Sequence, residues 1–147
     1  TPPPTLALSA SSVLQNNPLS VTLSLGAANG SLLAIGKVGT ADSTNVATLG
    51  TSSVNLVWSP TMAPAWGTGS FEFRYFMSGS STVTARSAPF TVFAAPTLTV
   101  SAANVIAGDA LAFTLAGGAT WTTGNRLALA AVGNADGTSV LSTPAEG

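Results

Sequence analysis

Apolar residues alternate with hydroxyl-bearing ones over short runs along the chain, and clusters of Gly, Asn, Pro and Ser bound those runs. A two-residue period is the signature of strands with one face in a core and the other in water. Leu6 and Leu8 mark a first strand, Leu19, Val21, Leu23 and Leu25 a second, and Leu32 to Val38 a third. Val54-Asn55-Leu56-Val57-Trp58 and Phe71-Glu72-Phe73-Arg74-Tyr75 supply two more, followed by Val83 to Arg86 and Phe90 to Phe93. No stretch combines a 3.6-residue period with helix caps. The pattern predicts an all-β chain.

The pattern also repeats. Pro4-Thr5-Leu6-Ala7-Leu8-Ser9-Ala10 returns as Pro96-Thr97-Leu98-Thr99-Val100-Ser101-Ala102. The match runs without a gap through Leu19 to Leu23 and Leu111 to Leu115, with about nine of twenty positions identical at a shift of 92. At a shift of 94, Leu33 to Asp42 pairs with Leu127 to Asp136, the two extra residues falling in a loop. Self-similarity of this extent indicates a tandem duplication of a unit near 92 residues. About seven strands in about 90 residues is the count of an immunoglobulin-like sandwich. The expected organisation is one complete sandwich over residues 1–94 and the first half of a second over 95–147, with strands A to C or C′. In the second copy, strands are expected at Leu98–Val100, Leu111–Leu115, Leu127–Val132 and Thr138–Leu141. Ala94-Ala95-Pro96 is too short for a flexible linker.

Composition narrows the function. Of 147 residues, 46% are hydrophobic and only 6% are charged, where about 25% is usual. A net charge of −1 cannot build a phosphate-neutralising surface, so nucleic acid is excluded as a partner. Histidine and cysteine are both absent. That removes Ser-His-Asp and Cys-His nucleophiles, thiolate and imidazole metal sites, and disulfides. No apolar run approaches 18 residues, so no membrane insertion is expected. The chain opens Thr1-Pro2-Pro3-Pro4 without a Met, as a processed or excised segment would. A Ser/Thr-rich, nearly uncharged chain suits an extracellular or cell-surface setting, kept soluble by hydroxyls, glycans or burial in an assembly.

Gly69-Ser70-Phe71-Glu72-Phe73-Arg74-Tyr75-Phe76, followed by Ala85-Arg86-Ser87-Ala88-Pro89-Phe90-Thr91-Val92, resembles the last two strands of the Ig-like (fibronectin III-like) repeats of bacterial secreted and cell-surface proteins. Those strands read near G-T-Y-E-F-R and A-R-S-N-P-F-T-V in that family. Its third strand, near D-W-I-G-L-Y-x-V-G, is similar to Ser31 to Gly39. The resemblance covers the first copy and the first half of the second, and implies a spacer, adhesive repeat or enzyme appendage. Here the family's Asp-Trp pair is replaced by Ser31-Leu32 and Asn125-Arg126, and the family tyrosine by Phe71, so no tyrosine-corner hydroxyl is available there.

Candidate chemistry is sparse. Asp42 and Asp136 occupy equivalent loops; Asn134, Asp136 and Thr138 offer oxygens to calcium, but an Asx turn explains the same residues. With Phe71, Phe73 and Tyr75 inward, Glu72, Arg74 and Arg86 are expected on the solvent face, with a cross-strand Glu72–Arg86 ion pair. Glu72 as a glycosidase acid lacks a neighbouring second carboxylate. Trp58 ends a strand at core parity. Trp66 and Trp121 are candidates for sugar stacking or for packing and interface contacts. Asn29-Gly30-Ser31 is both a glycosylation sequon and a turn pair. Leu98, Val100, Leu111, Phe113, Leu115, Leu127 and Leu129 form a half-core that needs completing by protein from outside the segment.

The expected function is structural: a repeat module of an extracellular surface, filament or virion-type assembly, not an enzyme, self-associating through strand and sandwich contacts. No metal or other cofactor is expected. The alternative is a carbohydrate-binding or spacer module of a secreted enzyme or adhesin.

Overall fold

The computed structural model describes residues 2–24, 30–50, 57–117, 126–135 and 141–144. Nine strands, β1 (Leu6–Leu8), β2 (Ser12–Leu14), β3 (Val21–Leu23), β4 (Leu32–Lys37), β5 (Ala47–Gly50), β6 (Val57–Trp58), β7 (Gly69–Phe76), β8 (Ala85–Arg86) and β9 (Phe90–Phe93), form two sheets. One has the order β1-β3-β6 and the other β2-β9-β7-β4-β5, with β8 on β7. This is an all-β sandwich, with β1, β3 and β6 packed against the sheet centred on β7.

The inward faces follow the two-residue period. Leu6, Leu19, Val21 and Leu23 meet Leu33, Ile35, Phe71, Phe73, Tyr75, Phe90 and Val92, with Met62 entering from a loop. Phe90 stacks on Phe73 with ring centroids 5.2 Å apart and on Phe71 at 6.2 Å, offset geometries that aromatic quadrupoles favour. β7 is the central strand, antiparallel to β4 and to β9.

Three features differ from the expected pattern. The chain changes sheets between β1 and β2, and β2 pairs parallel with β9, Val13 beside Val92. A parallel edge therefore joins an otherwise antiparallel architecture. β5, pairing Ala47 with Ile35 and Leu49 with Leu33, is a strand that its short run did not announce. β8 is two residues long, beginning at Ala85 where Val83 was expected, and just past it the Ser87 hydroxyl accepts from the Phe73 amide at 3.0 Å while its own amide donates to the Phe73 carbonyl. Leu25 and residues 54–56 and 138–140 of the expected strands lie outside the described residues.

Beyond Pro96 the chain forms two hairpins. β10 (Thr97–Val100) pairs with β11 (Phe113–Ala116), and β12 (Arg126–Leu129) with β13 (Leu141–Pro144), each as a two-stranded sheet.

Candidate functional site

The two C-terminal hairpins reproduce the backbone of the sandwich's own first strands. Leu98, Thr99 and Val100 pair with Leu115, Thr114 and Phe113, as Leu6, Ala7 and Leu8 pair with Leu23, Thr22 and Val21. The Ser101 hydroxyl accepts from the Ala112 amide at 3.2 Å, as the Ser9 hydroxyl does from Ser20. β12 pairs with β13 in the register of β4 with β5, Leu127 opposite Thr143 and Leu129 opposite Leu141. Left-handed backbone recurs in step, at Asn16 (φ 68°) and Gly108 (φ 97°), and at Gly39 (φ 83°) and Gly133 (φ 90°).

The side chains fare differently. In the sandwich, β3 continues to β6 and β4 to β7; among the described residues, β11 and β12 each pair along one edge only. Leu98, Phe113 and Leu129 are 52%, 53% and 57% exposed, where their counterparts Leu6, Val21 and Ile35 are buried. Val100 and Leu111 are exposed, and Leu115 and Leu127 half-buried. Val105 and Ile106, counterparts of Val13 and Leu14, are also exposed and are not in a strand. Sequence reading passed over these two, although the same 92-residue shift marks them.

The second cluster is ionic. Arg74 is fully buried and Glu72 nearly so, correcting the expectation that both face solvent beside Arg86. The physical reason is the β4–β5 loop, which folds over the outer face of β7 and covers it. Arg74 Nε donates to Glu72 Oε1 at 2.9 Å. Nη1 donates to the carbonyls of Ala41 (2.8 Å) and Thr44 (3.1 Å) and to Asn45 Oδ1 (3.3 Å). Nη2 donates to the carbonyls of Lys37 and Thr40, both at 3.0 Å, and to the Thr40 hydroxyl at 3.1 Å. Seven acceptors thus share the five guanidinium N–H groups.

Arg86 donates to Glu72 Oε1 and to Asp42 Oδ1, so the anticipated Glu72–Arg86 pair forms and Asp42 is drawn into it. The bond to Asp42, foremost, raises the Arg86 pKa above arginine's ordinary value; partial desolvation opposes it, and the charges of Glu72 and Asp42 assist. The Asp42 carboxylate therefore faces an arginine across the sheet. Glu72 sits between two guanidinium donors, the geometry of a structural ion pair.

Trp66 ends a short 3-10 helix, Pro64–Trp66, and is half-buried against the sandwich core, as Trp58 is. Each indole is thus partly covered by residues of the sandwich itself. Trp121, Asn29 and Asp136 lie outside the described residues. Among the described residues no group of three or more His, Cys, Asp or Glu side chains gathers as for a metal ion. No helix among them is long and apolar enough to cross a membrane. No protein-family model matches the chain, and no curated protein matches it.

Proposed function

We propose that the chain is a structural module of an extracellular or cell-surface assembly, with residues 97–144 forming the opening half of a second immunoglobulin-like unit that associates with further protein, foremost other copies of the chain. One observation carries this reading: strands in the register of a buried sandwich present their inward residues Leu98, Phe113 and Leu129 to solvent. An apolar face with open strand edges is a template for strand addition, and main-chain hydrogen bonds then supply much of the affinity. A contact between unlike surfaces propagates into a fibre unless its rotation closes. The near absence of charge suits such an assembly, since few ions must be desolvated at the contacts. The Ig-like repeat resemblance points the same way, and a non-catalytic role accords with the lack of His and Cys.

Negative-stain electron microscopy and light scattering of the chain at increasing concentration test the reading. Ordered oligomers or filaments are expected, weakened by Phe113→Ser and Leu98→Ser together. A chain that stays monomeric at millimolar concentration overturns self-association.

A further inference from the structure

The β4–β5 loop is fastened to the sheet by charged side chains rather than by apolar packing. No residue from Gly39 to Asn45 is buried, so this stretch adds nothing to the core. Among the described residues, the hydrogen bonds that tie it to β7 and β8 all come from two arginines. Arg74 reaches Thr40, Ala41, Thr44 and Asn45, and Arg86 reaches Asp42.

The loop also holds a shape of its own. The Thr44 amide donates to the Ala41 carbonyl at 2.8 Å, and Asn45 Nδ2 donates to the Asp42 carbonyl at 3.0 Å. Backbone bonds pin both ends: the Val38 amide donates to the Ser70 carbonyl at 3.1 Å and the Val46 amide to the Ile35 carbonyl at 2.8 Å. Just inside the first pin, Gly39 turns the chain with φ 83°, a conformation that suits glycine.

Arg74 and Arg86 are directly opposed across β7 and β8, and both donate to Glu72 Oε1. One carboxylate therefore lets two guanidinium groups share a face. Opening the loop would return the fully buried Arg74 to water, so the closed form is favoured only by what Glu72 and the carbonyls offset against that hydration. A segment without buried apolar contacts can open at a lower cost than the core beneath it.

We propose that residues 39–45 form a strap that opens as a unit while the sandwich stays folded, with the charge of Glu72 as its main latch and the Asp42–Arg86 pair as a weaker one. Glu72 is a positioning residue here, acting on the loop through the two arginines. The Asp42–Arg86 pair is part-exposed and is screened by water and salt. Neither latch involves the C-terminal hairpins, so the strap is independent of how the chain assembles.

Proton exchange followed by nuclear magnetic resonance in the full chain tests this. The reporters are the Arg74 Nε–H, which donates to Glu72, and the Thr44 amide; the reference is the amide of buried Leu19, which donates to the Pro60 carbonyl. As urea is added, exchange at the two strap reporters should rise with a shallow slope, and at Leu19 with the steep slope of global unfolding. Glu72→Gln keeps an acceptor but removes the charge, and is expected to speed exchange at the Arg74 Nε–H about tenfold or more. Asp42→Asn should speed it about threefold, and added salt should reproduce that change and add little to it.

Equal urea slopes at strap and core overturn the proposal, because the loop then opens only when the whole sandwich unfolds. Exchange that is unchanged by Glu72→Gln removes the main latch and overturns it as well. Should Glu72→Gln fail to fold, the slopes of the unaltered chain and of Asp42→Asn decide, and exchange that Asp42→Asn leaves unchanged then counts against the strap.

Discussion

At the scale of single residues, Arg74 is the side chain on which most depends. It is a buried cation whose cost of desolvation is offset by a carboxylate and a ring of backbone carbonyls. Removing it would leave those carbonyls without their donor. Arg74→Met is expected to cost about 3 kcal/mol or more, read from urea unfolding. Arg74→Lys should recover little, because an ammonium has three donors and no planar fork. Arg86 is the opposite case: its side chain is 42% exposed and its ion pairs are screened by water. Arg86→Ala should cost less than about 1 kcal/mol in the same measurement. The sign of its pH dependence follows from its raised pKa. A raised basic group contributes stability that is fully present below its unfolded value and is lost only as pH rises through the folded one. With no His or Cys in the chain, the unfolding midpoint is expected to stay nearly flat between about pH 6 and about pH 9. A step inside that window in a pH series of thermal melts would contradict this.

Elements that look alike in sequence carry different energies. Phe73 on β7 is fully enclosed between the sheets, so Phe73→Ala is expected to cost about 3–5 kcal/mol. Phe113 on β11 continues the same alternation but is half exposed, and Phe113→Ala should change the stability of the isolated chain by only about 0.5 kcal/mol. Denaturant melts of the two variants side by side check the contrast. The expected strands were legible wherever apolar and polar residues alternate for four positions or more, as at Val21–Leu23 with its flanks and Phe71–Tyr75. β2 and β5 were not legible. Ser12-Val13-Leu14 and Ala47 to Gly50 are too short a run to show a period, and the partner of β2, β9, lies far away in sequence.

For the whole molecule, every strand from β1 to β9 finds its partners within residues 6–93. Residues 1–94 expressed alone are therefore expected to unfold cooperatively, with dispersed amide resonances. A 96–147 peptide is expected to show neither, because its hairpins lack the aromatic strands that enclose the core of the sandwich. Nuclear magnetic resonance of the two fragments decides both statements, and a folded 96–147 peptide would remove the need for completion.

The sequence by itself determined the strands of strong alternation, the inward set of Leu6, Val21, Leu23, Phe71, Phe73 and Tyr75, and the recurrence of the pattern after residue 96. These are local properties: a period of two sends alternate side chains to one face whatever the strand later meets. Tertiary structure alone decided which faces are covered. Glu72 and Arg74 alternate outward and in sequence belong to water, yet a loop closes over them and turns a surface pair into a buried network. Leu98 and Phe113 alternate inward and in sequence belong to a core, yet among the described residues β10 and β11 pair only with each other and these side chains stand in solvent. Burial is a relation between segments distant in the chain, so only the assembled fold specifies it.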